Sequence, residues 1–162
     1  MDQAVTPATF EAIYERHARD VYRYALALSG NVTQAEDLAA EAFLRVWQAG
    51  SRVELLSVRA YLVAIVRNLH RSSWRVERRR DAMPVDITAP ADDPAVHVDL
   101  ERVLKALAQL DAPDRDVVLL RAEGGLSYEE IAALTGGTAS SVRVRAYRAR
   151  KRLMEVLCPT KK

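Results

Sequence analysis

The densest chemistry in the chain lies near its C-terminal end. There Arg143, Arg145, Arg148, Arg150, Lys151 and Arg152 are interleaved with Val144 and Tyr147. Guanidinium groups keep their charge and present a rigid fork of donors, so a cluster of them suits a polyanion, above all nucleic acid. On a helix lying in the major groove, an arginine donates two hydrogen bonds to guanine and an apolar side chain touches a thymine methyl. A solvated basic surface helix is the plain alternative. A second basic series, Arg67, Arg71, Arg75 and Arg79, repeats every four residues, with Arg78 and Arg80 beside it. This spacing draws a slowly drifting stripe down one side of a helix, which suits a phosphate backbone. The alternative is a solvated helix end whose cations favour the dipole. Trp74 falls within the stripe and either stacks on a base or packs.

A third set carries mixed charge. Asp37, Glu41 and Arg45 follow one another at four-residue spacing. They either offer charges to a partner helix or form an internal ion ladder contributing roughly a few tenths of a kcal/mol per pair. Nothing assembles a nucleophile with a base, a phosphate-cradling loop or a metal cluster. His17, His70 and His97 are scattered, and Cys158 is the single cysteine, with no partner for an internal disulfide. An enzyme is the remote reading, and neither metal nor cofactor is expected.

The elements that must position these residues read as helices. Alanine, leucine and arginine are abundant, with six glycines and six prolines in 162 residues, which favours helix over sheet. Phe10, Ile13, Tyr14, His17, Val21, Tyr22, Ala25 and Leu28 recur at helical spacing up to Gly30. Thr33-Gln34-Ala35-Glu36 has the form of a capping box, opening a second helix that runs to about Gln48 and stops at Gly50. Its inward face is expected to hold Ala35, Leu38, Ala39, Ala42 and Val46, with Phe43 and Trp47 also in the core. After a loop from Gly50 to Ser57, a third helix spans about Val58 to Arg80.

Pro84, Pro90 and Pro94, among Asp81, Asp86, Asp92 and Asp93, mark a linker. Helical pattern restarts near Asp99, with Leu100, Val103, Leu104, Leu107 and Leu110 as one apolar stripe. Pro113 and Asp114 suit the start of another helix, which ends at Gly124-Gly125. Ser127-Tyr128-Glu129-Glu130 is a capping box for a short helix through Ile131, Ala132 and Leu134. Thr135-Gly136-Gly137-Thr138 is a turn, and a long basic helix follows from about Ala139 to Leu157. Short helix, glycine-containing turn and longer helix make a helix-turn-helix signature, with Val142, Ala146, Ala149 and Leu153 facing inward.

The expected fold is therefore all-α: a helical bundle over residues 1–80, a flexible acidic linker over 81–98, and a helix-turn-helix domain over 99–162. Charge follows the same division. Residues 81–101 hold six acidic groups and neither lysine nor arginine, whereas residues 127–162 hold eight basic groups against three acidic. Two basic blocks joined by an acidic strip suggest two polyanion-binding surfaces and a tether. The start, MDQAVTPATF, lacks the basic and apolar segments of a signal peptide, and no apolar run approaches the roughly 20 residues that cross a bilayer. The expectation is a soluble cytoplasmic protein without membrane insertion.

Residues 127–153, SYEEIAALTGGTASSVRVRAYRARKRL, resemble the promoter-reading helix-turn-helix of the extracytoplasmic-function sigma factors, members of the sigma-70 family. The segment LDAPDRDVVLLRAEGGLSYEEIA upstream fits the same family without a gap, and AEDLAAEAFLRVW and AYLVAIVRNL resemble its other two signatures. The resemblance covers about residues 10–80 and 99–157. It implies a transcription initiation factor that binds core RNA polymerase and promoter DNA. By that likeness Ser141, Arg143, Val144, Tyr147 and Arg148 would read the minus-thirty-five element, with Arg145 partly on phosphate. The N-terminal domain would open the minus-ten element through Arg67, Asn68, Arg71, Trp74 and Arg75. Asn68 would approach a base captured in the 50–57 loop. Asp37, Glu41 and Arg45 would grip the polymerase clamp, and an anti-sigma factor is a further candidate partner. Val144 stands where the family commonly has serine, Ala146 where it has a bulky apolar residue, and Ala40 where it has glutamine. Two other readings compete: a regulator of another helix-turn-helix family, which needs an effector domain, and a sigma-like decoy for an anti-sigma factor, which has no use for two arginine-rich blocks.

Overall fold

The computed structural model describes residues 6–50, 58–77 and 94–159. Within them the regular elements are helices: α1 (Pro7–Ser29), α2 (Val32–Ala49), α3 (Val58–Glu77), α4 (Pro94–Ala108), α5 (Ala112–Ala122), α6 (Tyr128–Thr135) and α7 (Ala139–Leu157). The chain divides into two compact units, residues 1–86 and 87–162.

In the first unit, α1 starts behind Thr6, whose Oγ1 accepts from the Thr9 backbone, and ends at Gly30 in the left-handed region (φ 66°). The start of α2 differs from the sequence reading. Its cap is Asn31, with Oδ1 accepting from the Gln34 amide at 2.8 Å, so the helix begins before the Thr33 box. An asparagine side chain reaches the third amide as well as a threonine does, and here it comes first along the chain. Fully buried Val21, Tyr24, Ala25, Ala35, Ala42, Val46, Leu62, Val63 and Val66 form the core. Alanines at Ala25, Ala35 and Ala42 leave room for close helix approach. Tyr14 is instead half exposed, and Tyr24 takes the central place. Trp47 also departs from the expected core. It is 44% exposed, with its ring edge-on to Phe10 at 5.2 Å, whereas Phe43 is buried. Four residues along the chain from Phe43, which meets Phe10 edge-on, position 47 comes to the rim, and the large ring covers its neighbours without entering. An Asp20–Arg59 ion pair ties α1 to α3.

In the second unit α4 begins at Pro94, ahead of the Asp99 restart read from the sequence, so residues 94–98 are helical. Proline at the first helical position needs no amide partner and already has a helical φ, so it opens the helix. Leu104, Leu107 and Leu110 are buried together with Ala106, while Val103 is 40% exposed. Helix α5 begins behind Asp111 with Pro113 in its first turn. Its end requires glycine: a Cβ on Gly124 would lie 2.6 Å from the Leu120 carbonyl oxygen. That tight turn brings the Leu126 amide to the same oxygen at 3.1 Å and aims the chain into α6. Residues 81–93, most of the expected linker, lie outside the described residues.

Candidate nucleic-acid interfaces

The helix-turn-helix is set by two reciprocal caps. Ser127 Oγ accepts from the Glu130 amide at 3.1 Å, and Glu130 Oε2 accepts from the Ser127 amide at 2.8 Å, closing the box at α6. The turn passes through Gly136, whose φ of 74° is strained for any side chain-bearing residue. A second box opens α7. Thr138 Oγ1 accepts from the Ser141 amide at 3.1 Å, and Ser141 Oγ accepts from the Thr138 amide at 3.2 Å while donating to the Thr138 carbonyl at 2.8 Å. Ser141, expected to read DNA, is thus engaged in fixing the start of its own helix.

Buried Val142, Ala146 and Ala149 seat α7 against the unit. The opposite side carries Arg143, Val144, Tyr147 and Arg148, all exposed, with Val144 at 55% and Tyr147 at 65%. Val144 and Tyr147 thus stand in solvent between two arginines, an arrangement of donors and apolar groups that can meet base edges in a major groove. The borders of this face are held. Arg143 lies over the Tyr128 ring at 5.3 Å and Arg121 over the same ring at 5.0 Å. On the other border Arg145 pairs with Asp114 at 3.6 Å, and Arg152 lies 3.8 Å from both Asp111 and Asp114. Arg145 and Arg152 are seven residues apart, hence on one side of the helix. Their position facing α5 makes them braces of the unit, which the sequence pattern does not distinguish from phosphate ligands.

In the first unit α3 sorts its arginines by depth. Arg67 is buried at 7% exposure, whereas Asn68 and Arg71 are exposed. The expected stripe is corrected at this point: four-residue steps turn about 40° further each time, and at Arg67 the stripe still lies on the inward side next to buried Val63 and Val66. Arg67 is therefore buried in the free protein, unlike its neighbour Asn68. Tyr61, 38% exposed and seven residues before Asn68, shares its side of the helix and was not singled out from sequence. The side chains of Trp74 and Arg75, residues 78–80 including Arg79, and loop residues 51–57 lie outside the described residues.

Helix α2 presents Asp37, Glu41 and Arg45 to solvent, and Arg45 Nε donates to Glu41 Oε1 at 2.9 Å. Leu44, 48% exposed, stands on the same face. His17 titrates below its ordinary value because it is partly buried; Arg16 and Arg59 push the same way, and Asp20 opposes them. Among the described residues, no group of histidine, cysteine, aspartate and glutamate is arranged to hold a metal ion, and no helix is long and apolar enough to cross a membrane.

Fold and site together define a two-unit helical protein whose second unit is a helix-turn-helix. Known proteins narrow this further. Residues 13–80 match the family model for sigma-70 region 2, and residues 100–153 match that for sigma-70 region 4. The chain is 32% identical over 144 residues to the ECF RNA polymerase sigma factor EcfG of Rhodopseudomonas palustris, covering 83% of this chain and 77% of that protein. It is 33% identical to the RNA polymerase sigma factor CarQ of Myxococcus xanthus, covering 91% and 88%. It is 36% identical to the ECF RNA polymerase sigma factor SigE of Mycolicibacterium smegmatis, over 96% of this chain but 64% of that longer protein. Among solved structures, the sigma factor RpoE of Bartonella quintana, in complex with the anti-sigma factor NepR, superposes with a TM-score of 0.79 at 28% identity, covering 94% of this chain and 98% of RpoE. CnrH, in complex with the cytosolic domain of CnrY, gives 0.72 at 25% identity over 96% of this chain and 92% of CnrH. The chain belongs to the extracytoplasmic-function sigma factors of the sigma-70 family.

Proposed function

We propose that this protein binds core RNA polymerase in the cytoplasm and directs transcription initiation at a restricted set of promoters, as a regulatory factor and not a catalyst. The observation that carries this reading is the exposed face of α7, Arg143, Val144, Tyr147 and Arg148, on a capped helix-turn-helix in a chain matching both sigma-70 regions in order. The second unit would place that face in the major groove of the minus-thirty-five element. The first unit would open the minus-ten element with Asn68, Arg71 and, beyond the described side chains, Trp74 and Arg75. An exposed amide donates and accepts at once, as an unpaired base edge requires. Asp37, Glu41 and Arg45, with exposed Leu44 among them, would form the polymerase contact. RpoE and CnrH were each solved with a protein partner, and by similarity an anti-sigma factor is a candidate partner here.

Run-off transcription with purified core polymerase over a promoter library tests the reading. The full chain should start transcription at a few related sequences, and alone it should bind promoter duplex weakly. Tight sequence-specific binding by the chain alone, with no transcription, would make it an ordinary regulator.

A further inference from the structure

Tyr128 occupies the first position of α6, and its backbone is held on both sides by the capping box between Ser127 and Glu130. Its half-buried ring meets two cations from two other helices. Arg121, at the end of α5, lies 5.0 Å from the ring centroid, and Arg143 of α7 lies at 5.3 Å. Arg121 is anchored independently, donating from Nη1 to the Leu126 carbonyl at 2.8 Å. The ring is thus fixed by its own cap and braced by an anchored arginine, and the exposed Arg143 guanidinium rests against it.

A free arginine side chain samples many rotamers and loses that freedom when its fork engages a base. An aromatic face draws a guanidinium through the ring quadrupole, and so orders it before any ligand arrives. We propose that Tyr128 is a positioning residue for base reading: its ring pre-aligns the Arg143 guanidinium at the edge of the recognition face. This rests on the DNA-reading role proposed for α7. Phenylalanine has the same quadrupole and should serve equally well. Leucine fills similar space without it and should not. A ring that only packed would tolerate both, whereas a hydroxyl bound to phosphate would tolerate neither.

The test uses the full chain with core RNA polymerase on a library of upstream-element sequences. Wild type is compared with Tyr128→Phe, Tyr128→Leu, Arg143→Ala and the Tyr128→Leu/Arg143→Ala pair, with thermal midpoints measured in parallel. Arg143→Ala should relax preference at one or two base positions. Tyr128→Leu should relax the same positions by roughly two- to five-fold, Tyr128→Phe should retain them, and the pair should lose no more there than Arg143→Ala alone. If Arg143→Ala changes no particular position, the reading of α7 itself falls. If Arg143→Ala relaxes a position that Tyr128→Leu preserves, the reading stands and the positioning role is overturned. It is equally overturned if Tyr128→Phe and Tyr128→Leu weaken every promoter alike. Should Tyr128→Leu fail to fold, proton NMR of the wild-type chain decides: the Arg143 Cδ protons should show the upfield shift of groups above an aromatic face, and unshifted resonances would overturn the proposal.

Discussion

Neighbouring residues on α3 have opposite fates, and this decides which of them is free to meet DNA. Arg67 is buried and Asn68 beside it is exposed, because consecutive side chains on a helix point about 100° apart. Replacing Arg67 should therefore act on the stability of the first unit. Asn68→Ala should leave the thermal midpoint nearly unchanged, since exposed substitutions usually stay within about 0.5 kcal/mol, and should reduce open-complex formation. A template with a pre-melted bubble should restore part of the loss. An equal defect on closed and pre-melted templates would remove Asn68 from base capture.

At the scale of the element, α7, the proposed recognition helix, has both borders fastened. Thr138 and Ser141 secure its start, and Asp114 of α5 draws in Arg145 and Arg152 on one flank. The Asp114 side chain is only 16% exposed, so its charge is partly shielded from salt while the arginines reach outward. Asp114→Asn should release two cations toward any polyanion nearby. Duplex binding by the holoenzyme should then become more salt-dependent, by up to about 0.9 in log–log slope for each arginine that gains a phosphate. The thermal midpoint should fall modestly, reflecting roughly 0.5–1 kcal/mol for partly exposed pairs. A lower midpoint with an unchanged salt slope would make Asp114 a brace alone. The basic character of α7 was legible in the sequence; the division of its arginines between surface and brace was not, because partners on α5 come to α7 only through the fold.

At the scale of the whole molecule, the proposed binding surfaces belong to two compact units. In the first unit the proposed polymerase contact lies on α2. Its exposed Glu41–Arg45 pair contributes little to stability, so its charges are available for recognition. Reversing Asp37 and Glu41 to lysine should weaken affinity for core polymerase, measured by competition against another sigma factor, while helicity and the thermal midpoint stay close to wild type. Unchanged affinity would make the series an internal ladder. Promoter preference at the positions that α7 is proposed to read should be preserved in whatever holoenzyme still forms, because α7 belongs to the other unit.

The sequence by itself determined the helices, the caps at Ser127 and Gly30, the helix-turn-helix and the seating residues Val142, Ala146 and Ala149 of α7. These follow from neighbours within four residues along the chain, where period and capping chemistry act locally. Asn31 displaced Thr33 as the cap of α2, and Pro94 opened α4 early, both within the reach of local chemistry but undecided by pattern alone. What only tertiary structure decided is depth and partnership. Arg67 went inward, Trp47 came to the rim, Asp114 claimed Arg145 and Arg152, and Tyr128 met Arg121 and Arg143. Each of these depends on which residue of another helix lies opposite, and helical periodicity gives the direction of a side chain without saying what stands there.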